Sequence, residues 1–299
     1  MTKLLSGKEI KEKRMPELAN RAASLRGEDI FPCLAIIRAG ERDDDIAYEH
    51  TIIRLSESVG IDVRSLVVSE ETEQAELIER IERLNADSSV HGVLIFRPLP
   101  AHVDEGTVCA ALDPKKDVDG VTPASMAALY AGDCERGKAA AGVGLKAGFA
   151  PCTAEAVLDL LDHYGIETEG QRAVVVGRSA VIGRPVSLLL LERNATVTIC
   201  HSRTVGIEAL AASADILIVA AGLARDGRES GVGRAYFNAN QTVVDVGIHA
   251  DADGKLYGDV IAEDAMGAVA NLTPVPGGVG TVTTLKLLSH VLIAAENGR

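Results

Sequence analysis

The sequence predicts an α/β protein with two parallel-sheet domains, and three observations support this prediction. Strand and helix patterns alternate over residues 32–100 and again over 171–248, which is typical of βαβ units. Apolar residues make up 47% of the chain, but aromatic residues make up only 3% and Trp is absent. A core of Val, Leu, Ile and Ala suits buried parallel strands. The length of 299 residues favours two domains over one.

The first half of the chain contains three predicted strands separated by helices. Apolar runs that end at Gly or Pro predict strands over 32–40, 63–69 and 92–100. Apolar periodicity predicts helices over about 7–25, from Tyr48 to Ser58, and over 72–87. We expect Pro16 to kink or break the first helix and Thr72 to cap the third.

Turn residues interrupt the pattern in the middle of the chain. Residues 113–123 are rich in Asp, Lys, Gly and Pro, and 131–149 read as a loop beside the domain junction. A helix over 151–165, capped by Thr153, begins the second half. Predicted strands follow over 171–177, 196–202, 216–222 and 242–248. Predicted helices span 184–194, 207–214 and 284–298. The βαβαβ order requires parallel strands with right-handed crossovers.

Composition excludes several classes of protein. The net charge of −13 and the pI near 5.0 argue against a nucleic-acid binder, which needs a basic face. We expect no secretory signal and no membrane span, because the N-terminus lacks an apolar core and no apolar run reaches about 18 residues. The cysteines are scattered without a CxxC pair, which predicts free thiols, a cytoplasmic location and no metal site. They are Cys33, Cys109, Cys134, Cys152 and Cys200.

The stretch VVVGRSAVIGRP at 174–185 has the context of a nucleotide-binding turn. A β-branched strand runs into Gly177-x-Ser179-x-x-x-Gly183, and a helix follows. This spacing differs from the GxGxxG fingerprint, but backbone N–H groups at the helix start would favour an anion. The alternative is a plain connection between a strand and a helix.

The end of the next strand indicates which nucleotide is bound. NAD enzymes place a carboxylate about 20 residues after the glycines, where it accepts the ribose hydroxyls. This chain has His201, Ser202 and Arg203 there, and Arg178 lies in the glycine turn. Cationic and hydroxyl donors suit a 2′-phosphate, so the pattern favours NADP over NAD. The alternative is that Arg178 is a solvated surface residue.

Several motifs in the same order resemble one family. They are LSGKEI (5–10), DPKKDVDG (113–120), PCTAEAV (151–157), GRSxxxGRP (177–185), DVGI (245–248) and TPVPGGVGT (273–281). The chain resembles the bifunctional methylenetetrahydrofolate dehydrogenase/cyclohydrolase family over nearly its whole length. The resemblance implies oxidation of 5,10-methylene-tetrahydrofolate with NAD(P), followed in most members by hydrolysis to 10-formyl-tetrahydrofolate.

The resemblance also implies an architecture. It predicts a three-layer α/β folate-binding catalytic domain over 1–122, with the helix at 283–299 packed back on it. It predicts a Rossmann-like NADP domain over 150–280, a cleft between the domains, and a homodimer. We expect tetrahydrofolate derivatives as partners, with no nucleic acid and no membrane.

The resemblance assigns roles to individual residues. Asp119 would bind the pterin ring N–H and amino group, a paired donor edge that a carboxylate matches, although an Asx-turn would also explain it. Tyr48 would stack on the folate, although half-buried packing is the common role of a single Tyr. Pro276, Gly277 and Gly278 would line the nicotinamide and folate, unless they form a plain turn. The cofactor residues would be Gly177, Arg178, Ser179, Gly183, Arg184, Pro185, His201, Ser202, Arg203 and Ile248.

Two positions depart from the family pattern. The family has a lysine four residues after the tyrosine, and here that position holds Ile52. The family's GVLVQLPLP has a glutamine that tunes this lysine, and GVLIFRPLP places Phe96 there. Hydrolysis needs a group that moves protons, which hydrocarbon cannot do. We therefore predict that the dehydrogenase activity is kept and the cyclohydrolase activity is weak or absent. On a helix His50 points elsewhere, and strand alternation directs Arg97 away from Phe96, so neither replaces the lysine.

Three alternatives stay open from the sequence. The first is an enzyme with both activities, the second is a folate- or nucleotide-binding paralogue without catalysis, and the third is an unrelated NADP reductase on the same fold. A paired assay of dehydrogenase and cyclohydrolase activity separates them.

Overall fold

Parallel strands and helices alternate along the chain. The computed structural model describes residues 1–132, 134, 148–223, 231–251 and 253–298. The strands are β1 Lys3–Leu4, β2 Cys33–Ala39, β3 Asp62–Val68, β4 Gly92–Ile95, β5 Arg172–Val176, β6 Thr196–Cys200, β7 Ile216–Val219, β8 Thr242–Asp245, β9 His249–Ala250, β10 Leu256–Tyr257 and β11 Asn271–Leu272. The helices are α1 Gly7–Arg26, α2 Asp43–Val59, α3 Gln74–Ala86, α4 Glu105–Ala110, α5 Pro123–Ala131, α6 Cys152–His163, α7 Gly183–Glu192, α8 Ile207–Ala212, α9 Ala262–Ala265 and α10 Val279–Asn297.

The chain divides into two units, which differ from the predicted domains at the N-terminus. The three-stranded unit comprises Lys13–Cys152 and Thr284–Arg299, and the six-stranded unit comprises Met1–Glu12 and Thr153–Thr283. The prediction placed residues 1–122 in one domain. The first residues belong elsewhere because β1 pairs in parallel with β11. A two-residue strand has no periodicity that a sequence pattern could reveal.

The three-stranded unit is built on a parallel sheet in the order β3-β2-β4. The central strand β2 is buried almost throughout. Its Ile37 is in register with Leu66 of β3 and Ile95 of β4. The apolar face of α3, which includes Leu77 and Ile81, packs into the same core. This core holds the loops that follow the carboxyl ends of β2 and β4.

The six-stranded unit is a parallel sheet in the order β1-β11-β8-β7-β5-β6. Val175 of β5 is in register with Ile199 on one side and Ile218 on the other. The inner strands β7 and β8 are buried at every position. Buried β-branched runs of this kind are the pattern that predicted a parallel sheet. A short antiparallel pair, β9 and β10, lies after β8.

Two predicted helix caps are wrong, and the break expected at Pro16 does not occur. α1 continues through Pro16 without a break, because burial of Ile10, Leu18 and other residues on one face outweighs the one hydrogen bond that proline removes. Thr72 does not cap α3, since its amide donates to the Ser69 carbonyl in a turn before the helix. Thr153 lies inside α6 rather than before it. Helix ends depend on local geometry that residue type alone does not determine.

Three helices, α4, α5 and α9, were missing from the sequence prediction, and α5 had a visible signal. α5 has Pro123 in its first turn, and the Thr122 side chain accepts a hydrogen bond from the Ser125 amide. This Thr-Pro start is a recognised helix signal. The predicted loop over 131–149 falls mostly outside the described residues, at 133 and 135–147.

The last helix, α10, contributes its C-terminal part to the three-stranded unit. Glu296 accepts hydrogen bonds from Arg21 of α1, and Val291 lies against the backbone of Gly92 at the start of β4. By length and composition α10 resembles a membrane-crossing helix, but 67% of its most apolar stretch is buried inside the protein. A core helix of a globular fold has this character.

The cysteines provide a first testable prediction. All five are buried thiols that form no disulfide bond. Burial raises the pKa of the Cys33 and Cys200 thiols, and it raises the pKa of Cys109 to about 11. About one Cys109 thiol in a thousand is then ionised at pH 8, and only the thiolate reacts. We expect no rapid reaction of the native protein with an aromatic disulfide reagent at pH 8, and reaction of all five thiols in guanidinium. A fast phase in the native protein would contradict this burial.

Candidate functional site

A polar cluster lies beyond the carboxyl end of β4 in the three-stranded unit. The backbone at 116–118 runs beside β4, where Val93 donates to the Lys116 carbonyl at 2.7 Å and bridges to Asp117. This pairing carries Asp119 past the end of the strand, where open α/β sheets bind their ligands. The sequence had suggested Asp119 as a binding residue, and its half-buried carboxylate is available there.

The first aspartate of DVDG has a structural role. Asp117 is completely buried, and its carboxylate accepts hydrogen bonds from the amides of Val121 and Thr122 and from the Ser125 hydroxyl. These three bonds, at 2.6 to 2.9 Å, fold the loop back onto the start of α5. Asp117 was not among the predicted site residues, although its place two residues before Asp119 and the Thr-Pro helix start after it were signals in the sequence.

Arg97 also lies in this cluster, although it was not among the predicted site residues. Its Nη2 lies 3.5 Å from Oδ2 of Asp119, and its Nη1 lies 3.8 Å from Oε1 of Glu105. The expectation that Arg97 points to the opposite side of the strand from Phe96 rested on strand alternation, which does not extend to Arg97 because β4 ends at Ile95. The cluster therefore contains a cation beside the candidate carboxylate.

Burial dominates the ionisation of Asp119 and raises the pKa of its carboxyl. The positive charge of Arg97 acts in the opposite direction, and the neighbouring Asp117 adds to the increase. Cys152 and His290 lower the pKa, the first through a hydrogen bond and the second through its charge. The Arg97 guanidinium is thus the strongest of the influences that favour the ionised carboxylate.

Behind Asp119 lies a buried Cys–His pair that the sequence analysis did not assign. The Cys152 Sγ lies 3.5 Å from Nδ1 of His290 and donates to the Val118 carbonyl at 3.1 Å. His290 Nδ1 lies 2.8 Å from the same carbonyl, and its ring stacks on Phe149 at 4.6 Å. Both side chains fix the backbone immediately before Asp119.

Tyr48 faces this cluster from α2. Its ring centroid lies 5.6 Å from that of Phe96, and 39% of the residue is exposed. Its hydroxyl shares a hydrogen bond with Thr284. Burial of the hydroxyl and the negative charge of Asp119 raise the pKa of Tyr48 above its usual value. The ring therefore offers an apolar surface, and the phenol stays protonated at neutral pH.

The two residues that depart from the family pattern, Ile52 and Phe96, place apolar side chains next to Tyr48. Ile52, one turn along α2, is fully buried, and Phe96 is 7% exposed. The intervening Glu49 is also buried, but it forms a close ion pair with Arg38 at 2.6 Å. His50 is exposed, on another face of the helix. None of the α2 positions 49, 50 and 52 therefore directs an unpaired base at the Tyr48 ring.

The glycine turn of the six-stranded unit has a steric explanation for its spacing. Gly177 has a φ of +130°, and a Cβ there would lie 2.1 Å from the Ala220 carbonyl oxygen. A Cβ on Gly183 would lie 2.3 Å from the Gly177 carbonyl oxygen. The two glycines therefore contact each other across the turn, and neither can be replaced without moving the backbone.

The start of α7, which follows this turn, is capped by Ser179 of the turn itself. Ser179 Oγ accepts from the amides of Ile182 and Gly183, and the Ser179 carbonyl accepts from Arg184. Pro185 has no N–H. The amides of Ile182, Gly183 and Arg184 are therefore already hydrogen-bonded to Ser179, and anion binding by amides at this helix start stays a prediction. The side chains of Arg178 and Arg184 are exposed at this turn.

Further donors follow β6. Thr204 Oγ1 accepts from the His201 amide, and His201 Nδ1 accepts from the Arg203 amide, so the turn is rigid. Ser202 and Arg203 are exposed on it. Residues 200–207 contain no Asp or Glu, and guanidinium and hydroxyl groups are donors of the kind that suits a nucleotide phosphate. Among the described residues no three His, Cys, Asp or Glu side chains converge to form a metal site.

The DVGI and PVPGG segments are also held by specific bonds. Asp245 accepts from the amides of Gly247, Asp259 and Val260, and burial raises the pKa of its carboxyl to about 7. A Cβ on Gly278 would lie 2.5 Å from the Pro274 carbonyl oxygen. Pro276, Gly277 and Ile248 are exposed at these turns.

Comparison with known proteins assigns the chain to a family. Residues 5–119 match the catalytic domain of tetrahydrofolate dehydrogenase/cyclohydrolase, and residues 151–299 match its NAD(P)-binding domain. The chain belongs to the tetrahydrofolate dehydrogenase/cyclohydrolase family. It is 40% identical over 296 residues to the bifunctional protein FolD of Clostridium botulinum, covering 99% of each chain. It is also 40% identical to that of Clostridioides difficile over 293 residues, covering 98% of this chain and 96% of the relative.

Solved structures agree with this family. The fold superposes on the bifunctional FolD of Campylobacter jejuni with a TM-score of 0.91 at 35% identity, covering 99% of each chain. It superposes on the Trypanosoma brucei FolD, solved with NADP and an inhibitor, with a TM-score of 0.88 at 31% identity, covering 99% of this chain and 98% of that one. The predicted family and α/β fold are confirmed. The six-stranded unit contains most of the NAD(P)-binding domain of a tetrahydrofolate dehydrogenase/cyclohydrolase.

Proposed function

We propose that this tetrahydrofolate dehydrogenase/cyclohydrolase oxidises 5,10-methylene-tetrahydrofolate with NADP and has little or no cyclohydrolase activity. The observation that carries the proposal is the hydrocarbon beside Tyr48. Ile52 is fully buried and Phe96 is 7% exposed, at the two positions where the family has a lysine and a glutamine. The names of the relatives, bifunctional FolD proteins, favour the second candidate, in which both activities are kept.

Substrate binding begins with two groups of the three-stranded unit. The Asp119 carboxylate accepts from the ring N–H and the amino group of the pterin, which is a bidentate, charge-assisted interaction. The Tyr48 ring stacks on the folate, and its contact with Phe96 at 5.6 Å limits how the ring can turn. Asp117 and the Cys152–His290 pair hold the backbone on either side of Asp119 in place.

Oxidation requires positioning rather than proton transfer. The C–H bond of the one-carbon bridge breaks with its electron pair, and a lone pair on the neighbouring nitrogen forms the C=N bond of the methenyl product. Bound NADP supplies the acceptor for this hydride. The residues of the site need only orient the pterin and exclude water. Isoleucine and phenylalanine serve that role.

Hydrolysis of the methenyl product has a different requirement. A water must lose a proton as it attacks, and the leaving nitrogen must gain one, which general acid–base catalysis typically accelerates by about 10²- to 10⁴-fold. Ile52 and Phe96 hold no exchangeable proton. Tyr48 is a poor base, because burial raises its pKa. This combination supports retention of the first step and loss of the second.

One paired assay tests the proposal. NADPH formation from 5,10-methylene-tetrahydrofolate is followed first, and the decay of methenyl absorbance is then compared with and without protein. We expect turnover in the first measurement and no acceleration in the second. Rapid methenyl decay would favour the bifunctional enzyme. Absence of both activities would favour a binding protein without catalysis.

The NADP preference gives a separate prediction. Ser202 is exposed in the turn after β6, next to Arg203. The change Ser202→Asp places a carboxylate where we expect the 2′-phosphate, and we expect the ratio of kcat/KM for NADP to that for NAD to fall about tenfold to a hundredfold. Asn240→Asp adds the same charge at another exposed position of this unit and should leave the ratio unchanged. An unchanged ratio in Ser202→Asp would place the 2′-phosphate elsewhere.

A further inference from the structure

The Arg97 side chain has a position that the proposed reaction does not explain. It follows Phe96 in GVLIFRPLP, where the family motif GVLVQLPLP has a leucine. Its side chain is only 18% exposed, so a charged group has been placed in a largely buried setting. Burying a guanidinium is costly unless it is paired or used.

Two carboxylates fix the guanidinium in place. Nη2 lies 3.5 Å from Oδ2 of Asp119, and Nη1 lies 3.8 Å from Oε1 of Glu105. Glu105 is in turn fixed by the Leu99 amide, which donates to its Oε2 at 3.2 Å. The guanidinium is planar and carries five N–H donors, more than these two contacts consume. Donors next to Asp119 are therefore available to a ligand held by Asp119.

The pterin has a complementary edge. Its pyrimidine ring presents in sequence a carbonyl acceptor at C4, an N–H donor at N3 and an amino donor at C2. A carboxylate can accept only from the N3 N–H and the C2 amino group. The C4 carbonyl therefore needs a separate protein donor, located beside the carboxylate oxygen that accepts from N3. Leucine at position 97 could not provide one, whereas a guanidinium can.

We infer that Arg97 and Asp119 together form a donor–acceptor–acceptor edge, in which the Arg97 guanidinium donates to the C4 carbonyl of the pterin. This inference rests on the proposed function, since it takes Asp119 as the pterin anchor. It makes Arg97 a specificity-determining residue, which distinguishes a 4-oxo pteridine from a 4-amino pteridine. A 4-amino group would direct its own donors at the guanidinium.

The charges around the pair support this arrangement. Asp119 faces Arg97, Asp117, Tyr48 and the Cys152–His290 pair. Burial raises the pKa of its carboxyl, and Arg97 opposes that increase more strongly than any other neighbour. Arg97 therefore also favours the ionised Asp119 that accepts both pterin donors. A lysine would preserve the charge without the fork of parallel N–H groups.

The test is a binding cycle with two ligands and purified full-length protein. The probes are a 2-amino-4-oxo pteridine and a 2,4-diamino pteridine with the same side chain, and calorimetry gives the dissociation constant of each. For Arg97→Leu we expect the preference for the 4-oxo ligand to fall about tenfold to a hundredfold, the size of a lost charge-assisted hydrogen bond. Arg97→Lys should fall between Arg97→Leu and the parent. Arg80→Leu removes an arginine of the same unit that pairs with Glu76 on the surface of α3, and it should keep the parental preference.

Each other outcome has a defined meaning. If Arg97→Leu and Arg97→Lys keep the parental preference while Asp119→Ala loses 4-oxo binding, the inference is overturned and the proposed function stands. If the parent binds neither pteridine, or if Asp119→Ala binds the 4-oxo ligand as well as the parent does, the proposed pterin site is wrong as well. Circular dichroism checks the fold of each variant. If Arg97→Leu does not fold, Arg97→Gln, a neutral donor of similar length, takes its place in the cycle.

Discussion

The double variant Ile52→Lys/Phe96→Gln should hydrolyse the methenyl substrate about 10²- to 10⁴-fold faster than the parent, the usual contribution of general acid–base catalysis. Position 52 lies one helical turn after Tyr48 and shares its face. Burial there would lower the pKa of an introduced amine towards neutrality, which suits proton transfer. The glutamine at 96 would give the amine a hydrogen-bond partner.

The single change Ile52→Lys should behave differently from the pair. Ile52 is fully buried, so an amine there without a partner destabilises the fold, by about 2 kcal/mol or more. We therefore expect a lower denaturation midpoint for the single variant and partial recovery in the double variant. Methenyl decay and urea denaturation measure the two effects separately.

The matched control moves the lysine to a neighbouring face. His50→Lys/Phe96→Gln has the same two residue types, but position 50 is exposed and faces away from Tyr48. It should fold, keep dehydrogenase activity and gain no hydrolysis. If the Ile52→Lys/Phe96→Gln protein folds, oxidises its substrate and still hydrolyses nothing, then the missing activity does not result from these two positions.

The two aspartates of DVDG should respond to substitution in opposite ways. Asp117→Ala removes a fully buried carboxylate that accepts from two amides and a hydroxyl. Buried donors left without partners cost about 1–3 kcal/mol each. We expect the free energy of unfolding to fall by about 3–5 kcal/mol, the range seen when one partner of a buried charged network is removed. Urea denaturation measures this loss directly.

Asp119→Ala should affect the substrate rather than the fold. Its carboxylate is 23% exposed, lies 3.5 Å from the Arg97 guanidinium and shares a hydrogen bond with the Cys152 thiol, so it holds together much less of the fold than Asp117 does. We expect KM for the folate substrate to rise about 10²-fold or more, because two charge-assisted hydrogen bonds are lost. Equal loss of stability in both aspartate variants would contradict this division of roles.

Much of the fold follows from local sequence patterns. A strand or helix repeats its core contacts at short, regular intervals, so its sequence shows which residues are buried. This made it possible to predict the buried strands β2, β5, β7 and β8 and the apolar face of α3. Helix ends were less predictable. Thr72 and Thr153 are good capping residues by type, but α3 and α6 begin at other positions. The short strand β1 could not be predicted, because it forms only by pairing with β11 at Asn271–Leu272, far away in the sequence.

The sequence by itself determined the two parallel sheets, the family, and the replacement of a proton-transferring pair by Ile52 and Phe96. The tertiary structure decided what surrounds those residues. It separated the buried anchor Asp117 from the accessible Asp119, placed Arg97 against Asp119, and showed that Ser179 uses the amides at the start of α7. The physical reason is distance along the chain. Periodicity records which face of an element is buried, whereas charges and hydrogen bonds depend on the loops that the fold brings together.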